Sequence, residues 1–200
     1  MRVGVIGAGN IGGTLGRAWA RAGHDVVFGV RDPEGPKTTA LLDGAPGART
    51  AGVAEAARDA DVVLIAVPGS VLDAVLADLW PHIEGSVVID ASNNMAGGPM
   101  NGTTSIKAAA AQASVFRAFN SLGWENFADP IFRGVPADLF YCGPEGRADE
   151  QVAALINDVG LRPVRVGDLD QVDVVDSVTR LWFSLSRTRG RHLAFKVLED

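Results

Sequence analysis

The chain opens on a short apolar run, Val3, Val5 and Ile6, after which Ile11, Leu15, Trp19 and Ala22 recur at helical spacing. Gly23 is placed to cap that helix, and a second apolar run extends from Val26 to Gly29. The alternation then continues. Ala48 to Ala51 predicts a short third strand and Val53 to Arg58 a small helix. Asp61 to Val67 predicts a fully buried strand stopped by Pro68, and the helix begun by Gly69 and Ser70 has Val71, Val75, Leu76 and Leu79 on its apolar face. Further strands are predicted over Ser86–Asp90, Ser114–Phe119, Ala137–Cys142 and Arg162–Val166, with helices over Thr103–Ala111 and Asp149–Val159, the latter capped by Gly160. Continuous apolar strands alternating with helices are the pattern of an α/β fold with a doubly wound, mostly parallel sheet.

From Asp170 to Leu198 the pattern is helical throughout, with Val172, Val175, Ser177, Val178, Trp182, Phe183 and Leu185 on one face. Such a face needs a cover, either the preceding domain or a second subunit. The expected organisation is a domain over residues 1–168 and a small carboxyl-terminal helical segment over 169–200, which completes a cleft and forms a dimer interface.

Candidate chemistry begins at the first turn. Gly7, Gly9 and Gly12 fit the G-x-G-x-x-G pattern, with a strand before it and a helix after it. In a Rossmann-type domain the first glycine permits the tight turn, the second lets backbone approach a pyrophosphate, and the third lets helix pack closely on strand. Asn10 and Ile11 then open the helix whose free amides would hold the anion. The side chains just past the second strand select the dinucleotide. An acidic residue there would bind the ribose hydroxyls of NAD, whereas this strand runs into Val30 and Arg31. A guanidinium pairs with a 2′-phosphate through a planar fork, so NADP(H) is the expected cofactor, with Lys37, Thr38 or Thr39 as further donors. Asp32 competes with this reading if the loop turns one residue later.

Composition narrows the class. A hydrophobic content of 47% supports a substantial core, and a net charge of −6 over 200 residues gives no basic footprint for nucleic acid. The single cysteine, Cys142, permits no internal disulfide and suggests a small buried residue on a strand. No apolar run reaches the roughly 18 residues of a membrane span, so a cytoplasmic protein is expected.

The remaining candidates lie at strand ends. Val67 and Pro68 end a strand on the carboxyl edge of the sheet, where open α/β folds bind ligands. Ser70 either caps the next helix or touches the nicotinamide ribose. Asp90, Ser92, Asn93 and Asn94 open a long loop, read either as a turn bonding its own backbone or as a functional segment. Asn120 comes just after a buried strand and could offer its amide to the nicotinamide or a second substrate. Trp124 and Phe127 either line a pocket for a flat ring or close the core. Arg180, Arg187, Arg189 and Arg191 are either solvated or hold an anionic substrate tail, and His24, His82 and His192 read as solvated or structural.

Taken together, GAGNIGGTLGRAWARAGHDVVFGVRDP, AVPGSV, AFNSLGWENF, LFYCGPEG and DSVTRLWFSLSRTRGRHLAFKVL resemble the NADPH:coenzyme F420 oxidoreductase family, in order and over nearly the whole chain. The first half also resembles the cytoplasmic domain of the STEAP metalloreductases. The resemblance implies a homodimer that moves a hydride between NADPH and the deazaflavin coenzyme F420. Catalysis is then by positioning, with no acid-base residue required and no metal. Pro68, Ser70 and Asn120 would position the nicotinamide and Trp124 would face the deazaflavin. The family's second strand commonly ends Gly-Ser-Arg, and Val30 leaves this chain one hydroxyl donor short. The competing functions are an NADPH reductase of a flavin, ferric ion or small carbonyl or imine, and a binding module without turnover.

Overall fold

The structure is a computed structural model that describes residues 1–199, with every side chain among them except that of Lys37. Its strands are β1 (Arg2–Ile6), β2 (Asp25–Gly29), β3 (Arg49–Ala51), β4 (Val62–Ile65), β5 (Val87–Asp90), β6 (Ser114–Arg117), the short hairpin β7 (Ile131–Phe132) and β8 (Val135–Pro136), β9 (Asp138–Cys142) and β10 (Arg162–Gly167). Its helices are α1 (Asn10–Arg21), α2 (Pro36–Thr39), α3 (Val53–Ala57), α4 (Leu72–Leu79), α5 (Thr103–Ala109), α6 (Trp124–Ala128), α7 (Arg147–Asp158) and α8 (Val172–Arg189).

Eight strands form one sheet in the order β10-β9-β6-β5-β4-β1-β2-β3. Every pairing is parallel except β6 with β9. This is the expected Rossmann-type doubly wound sheet, with the strand order reversing between β1 and β4. Period-2 alternation on parallel strands explains why the apolar runs are continuous: each strand faces a core on both sides. Val3, Val5, Val26, Phe28, Leu64 and Ile89 face one core, with Leu15 and Trp19 of α1 and Leu155 of α7. Ile6, Val27, Val63, Ile65 and Val88 face the other, with Leu72, Leu76 and Leu79 of α4 and Ile106 of α5.

Two helices end on the glycines expected to cap them. Gly23 adopts φ +92°, donating to Ala20 while His24 donates back to Trp19. Gly160 at φ +92° repeats this, with Leu161 reaching Ile156. Both are the paired C-terminal bonds that a left-handed residue allows. Ala22, counted on the apolar stripe of α1, is instead its exposed C-cap.

The carboxyl-terminal segment departs from the expected continuous helix. Gly190, at φ +85°, ends α8, and residues 191–199 run back over the domain in irregular conformation. That return is anchored: Asp138 donates its amide to the Phe195 carbonyl, and its carboxylate accepts from the Val197 amide. Leu193, Ala194 and Phe195 pack against the first core. The face of α8 is also divided. Val175 and Trp182 are buried, while Val174 and Leu181 are about half exposed, at 49% and 50%. Among the described residues no helix is long and apolar enough to cross a membrane.

Candidate functional site

A cleft of about 510 Å³ opens where β1 and β4 end, at the point of strand-order reversal. Its floor is the glycine turn. Gly7 takes φ +97°, which costs a glycine nothing, and a Cβ there would lie 2.6 Å from the Ala66 carbonyl oxygen. A Cβ on Gly12 would overlap the Gly7 carbonyl, so α1 can begin this close to β1 only with glycine there. Gly9, by contrast, has open space where its Cβ would be. It is the N-cap of α1 and supplies no side-chain cap, so the first amides of Asn10 and Ile11 keep no intrahelical partner and form an anion-accepting end.

The walls come from three elements. Val30 and Arg31 come after β2, Val53 starts α3, and Val67 and Pro68 come after β4. Val71, Ala74, Val75 and Asp78 contribute a single helical face at successive spacings of three, one and three residues. The apolar face expected for this helix is therefore two faces: Leu72, Leu76 and Leu79 enter the core, while Val71 and Val75 line the cleft. Among the described lining residues Arg31 and Asp78 alone carry charge. Asp32 does not line the cleft. Its carboxylate folds back over Gly35, and its carbonyl accepts from Thr38 Oγ1 at 2.7 Å. The side chain of Lys37 lies outside what is described.

Gly7, Gly9, Val30, Arg31, Val67 and Pro68 thus come together, with Asn10, Ile11 and Gly12 at the adjoining helix start. Ser70 does not join them and does not cap α4. It sits exposed in a 3₁₀ turn, Gly69–Val71, that carries no side-chain cap.

Beyond Pro68 lies a second assembly. Pro68 bridges to Asn93, and the Asn93 amide donates to the Asn120 carbonyl at 3.3 Å. Behind them Arg117, fully buried at the end of β6, donates to Asp176 at 2.9 Å, to the Ser92 and Asp90 carbonyls and to Asn93 Oδ1. Asp90 accepts from the Ser92 and Gly102 amides, and Asp176 from Asn101. One arginine between two buried carboxylates, with amide donors on the remaining lone pairs, satisfies charges that burial would otherwise penalise heavily. The loop after β5 is therefore more than a self-bonded turn: Asp90, Ser92 and Asn93 hold Arg117 and, through it, α8.

Asn120 sits just beyond Phe119, whose φ of +58° is uncommon for a bulky residue. That turn sends the Phe119 ring between Trp19 and Phe127, 5.7 Å from each. Asn120 is buried, its amide donating to Thr179 Oγ1 at 2.8 Å and to Asp176, while its Oδ1 has no partner among the described residues. Its donors are thus committed to α8 rather than offered to a ligand. Phe127 closes the core, and Trp124 lies partly exposed at the start of α6, outside the cleft lining.

The other candidates are structural. His24 pairs with Asp158 at 2.8 Å, and His192 stacks on Phe132. Arg191 pairs with Glu125 and lies 5.0 Å over Trp182, whereas Arg180, Arg187 and Arg189 are exposed. Burial pushes the Cys142 thiol up to about 11, leaving it an inert core residue. Arg117 is the site residue that pattern alone did not single out. Its signal is an arginine inside the apolar run Val115-Phe116-Arg117-Ala118-Phe119, a buried charge that demands partners.

Residues 2–94 match the profile of the family described as NADP oxidoreductase coenzyme F420-dependent. Among curated proteins, the glycerol-3-phosphate dehydrogenase [NAD(P)+] of Azorhizobium caulinodans is 32% identical over 184 residues, 86% of this chain and 55% of that protein. The chain spans about half the length of the curated relatives it matches. Among solved structures, a proposed F420-dependent NADP reductase from Arthrobacter sp. FB24 superposes over 100% of both chains with a TM-score of 0.87 at 23% identity. A hypothetical protein from Sinorhizobium meliloti superposes with a TM-score of 0.71 at 28% identity, over 85% of this chain and 86% of that one.

Proposed function

We propose that the chain binds NADP(H) in this cleft and exchanges a hydride between its nicotinamide and the deazaflavin coenzyme F420. The observation that carries the cofactor reading is an apolar slot at the strand-order reversal whose described lining has one cation, Arg31, immediately beyond β2. The open Gly9 and the uncapped start of α1 suit the pyrophosphate. Val30, Val53, Val71 and Val75 suit the faces of a flat base, and Arg31 suits the 2′-phosphate. The description of the family matched by residues 2–94 supports the deazaflavin as partner.

When bound, the two cofactors supply the redox chemistry, and the protein has to hold them in contact, at about 3–3.5 Å between reacting carbons. Asn93 and Pro68, fixed by the Arg117 network, are the groups that would seat the nicotinamide end. The ionisable side chains of that network are paired with one another, which suits a reaction driven by positioning. The likeness to glycerol-3-phosphate dehydrogenases favours a second reading, reduction of a small phosphorylated carbonyl compound.

Absorbance-monitored stopped flow separates the two. NADPH oxidation is expected to depend on added coenzyme F420 and to fail with flavin or dihydroxyacetone phosphate. Turnover with dihydroxyacetone phosphate and none with the deazaflavin would move the assignment to the second reading.

A further inference from the structure

We infer that Asp78 reads the base of the bound dinucleotide, its carboxylate accepting a hydrogen bond from the exocyclic amine of a 6-aminopurine and so selecting adenine over a 6-oxopurine. This rests on the NADP(H) reading. Along α4 the cleft-facing positions change character from Val71, Ala74 and Val75 to Asp78. At 1.5 Å per residue, Asp78 stands roughly 10 Å along the helix from Val71, which is next to the turn after β4. The valines provide a surface for the faces of a base, and the carboxylate is the one side-chain acceptor among the described lining residues. Asp78 is exposed and has no hydrogen-bond or ion-pair partner among the described residues, so nothing in the fold uses it.

The chemistry is asymmetric. An ionised carboxylate only accepts, so it matches an N–H of the 6-amino group and opposes the carbonyl oxygen of a 6-oxo base. Arg31, the other charged residue of the described lining, cannot make that distinction toward an amine because it only donates.

The test is calorimetric titration of the full chain with NADPH and with its reduced hypoxanthine analogue, which replaces the 6-amino group with a carbonyl and puts a proton on N1. The wild type is expected to prefer NADPH by about tenfold or more, the effect of one charge-assisted hydrogen bond. Asp78→Asn, which presents both a donor and an acceptor, is expected to bind the two within about twofold, and Asp78→Ala likewise. Both variants should unfold at the wild-type temperature because the residue is exposed. Equal binding of both dinucleotides by the wild type overturns the inference while leaving the NADP(H) reading intact. So does a preference that survives in both variants, or an equal tightening of both ligands in Asp78→Asn, which would mark the carboxylate as a neighbour of the phosphate. Binding of neither dinucleotide by the wild type overturns the parent reading and this inference together.

Discussion

Around Gly7 and Gly9 the cleft is shaped by backbone, with a positive φ, an uncapped helix start and no side chain able to intrude. Beyond the cleft, around Asn93 and Asn120, the molecule is shaped by charge, with a buried arginine holding two strands, a loop and α8 through side chains up to 59 residues apart. The first construction is local, so it tolerates change elsewhere in the chain. The second is distributed, so losing either carboxylate strips the buried arginine of hydrogen bonds that reach it from a distant part of the chain. On the proposed reading the glycine end would take the pyrophosphate, and the charged end would set where the nicotinamide ring comes to rest.

The sharpest way to break that contrast is at Asp176. Asp176→Ala leaves Arg117 with Asp90 as its remaining carboxylate, unpairs its Nε and removes one acceptor of Asn120, and losing hydrogen bonds to a buried charge costs about 1.5–3 kcal/mol. Urea unfolding should show a loss of that size, and α8 should loosen, since Asp176 is its link to β6. A variant as stable as the wild type would show that the network is an accessory of the fold.

At the opposite end Arg31→Ala should leave stability unchanged, because Arg31 is exposed and lines the cleft. Its effect belongs to ligand binding. Loss of a hydrogen-bonded ion pair with a 2′-phosphate weakens binding by about 1.5–3 kcal/mol, roughly tenfold to a hundredfold. Titrations should therefore show NADPH weakened by that factor and NADH barely changed. Equal weakening of both would remove Arg31 from the phosphate site and reopen the selection between the two dinucleotides.

The same contrast explains what could be read from the sequence. The glycine turn, the doubly wound strands and the cap glycines are signalled by residues within a few positions of the structure they produce. The features made by partners distant in the chain are not. Val71, Val75, Leu76 and Leu79 read as one apolar stripe because periodicity cannot tell a core from a cleft, and Leu72, Leu76 and Leu79 take the core side. Asn120 read as a ligand contact because it comes just after a buried strand, yet its donors are claimed by Thr179 and Asp176, more than 50 residues later. The run after Arg189 keeps a helical pattern of apolar residues. Gly190 and the anchoring of residues 195–197 on Asp138 draw it into an irregular return.

That return offers the smallest and most local test. Asp138 is buried at the start of β9 and accepts from Arg162 through two bonds of 2.7 Å, from Lys196 at 2.9 Å and from the Val197 amide at 2.6 Å. Burial pushes its carboxyl upward, but the Arg162 guanidinium, the Val197 amide and Lys196 together hold it below its ordinary value of 3.8. A group depressed in the folded state contributes its stability fully above the unfolded value, and that contribution is lost as pH falls through the lower folded value. The expected outcome is a tail over residues 191–199 that stays protected from hydrogen exchange at neutral and mildly acidic pH. It should open as pH falls through that depressed value, because protonation discharges the carboxylate that Lys196 and the Val197 amide bind, while the tail has no strand pairing of its own to hold it. Asp138→Asn should leave the tail open at neutral pH and abolish its acid step. A tail that exchanges at the same rate in both proteins and at every pH would show that Leu193 and Phe195, packed on the first core, hold it without the carboxylate.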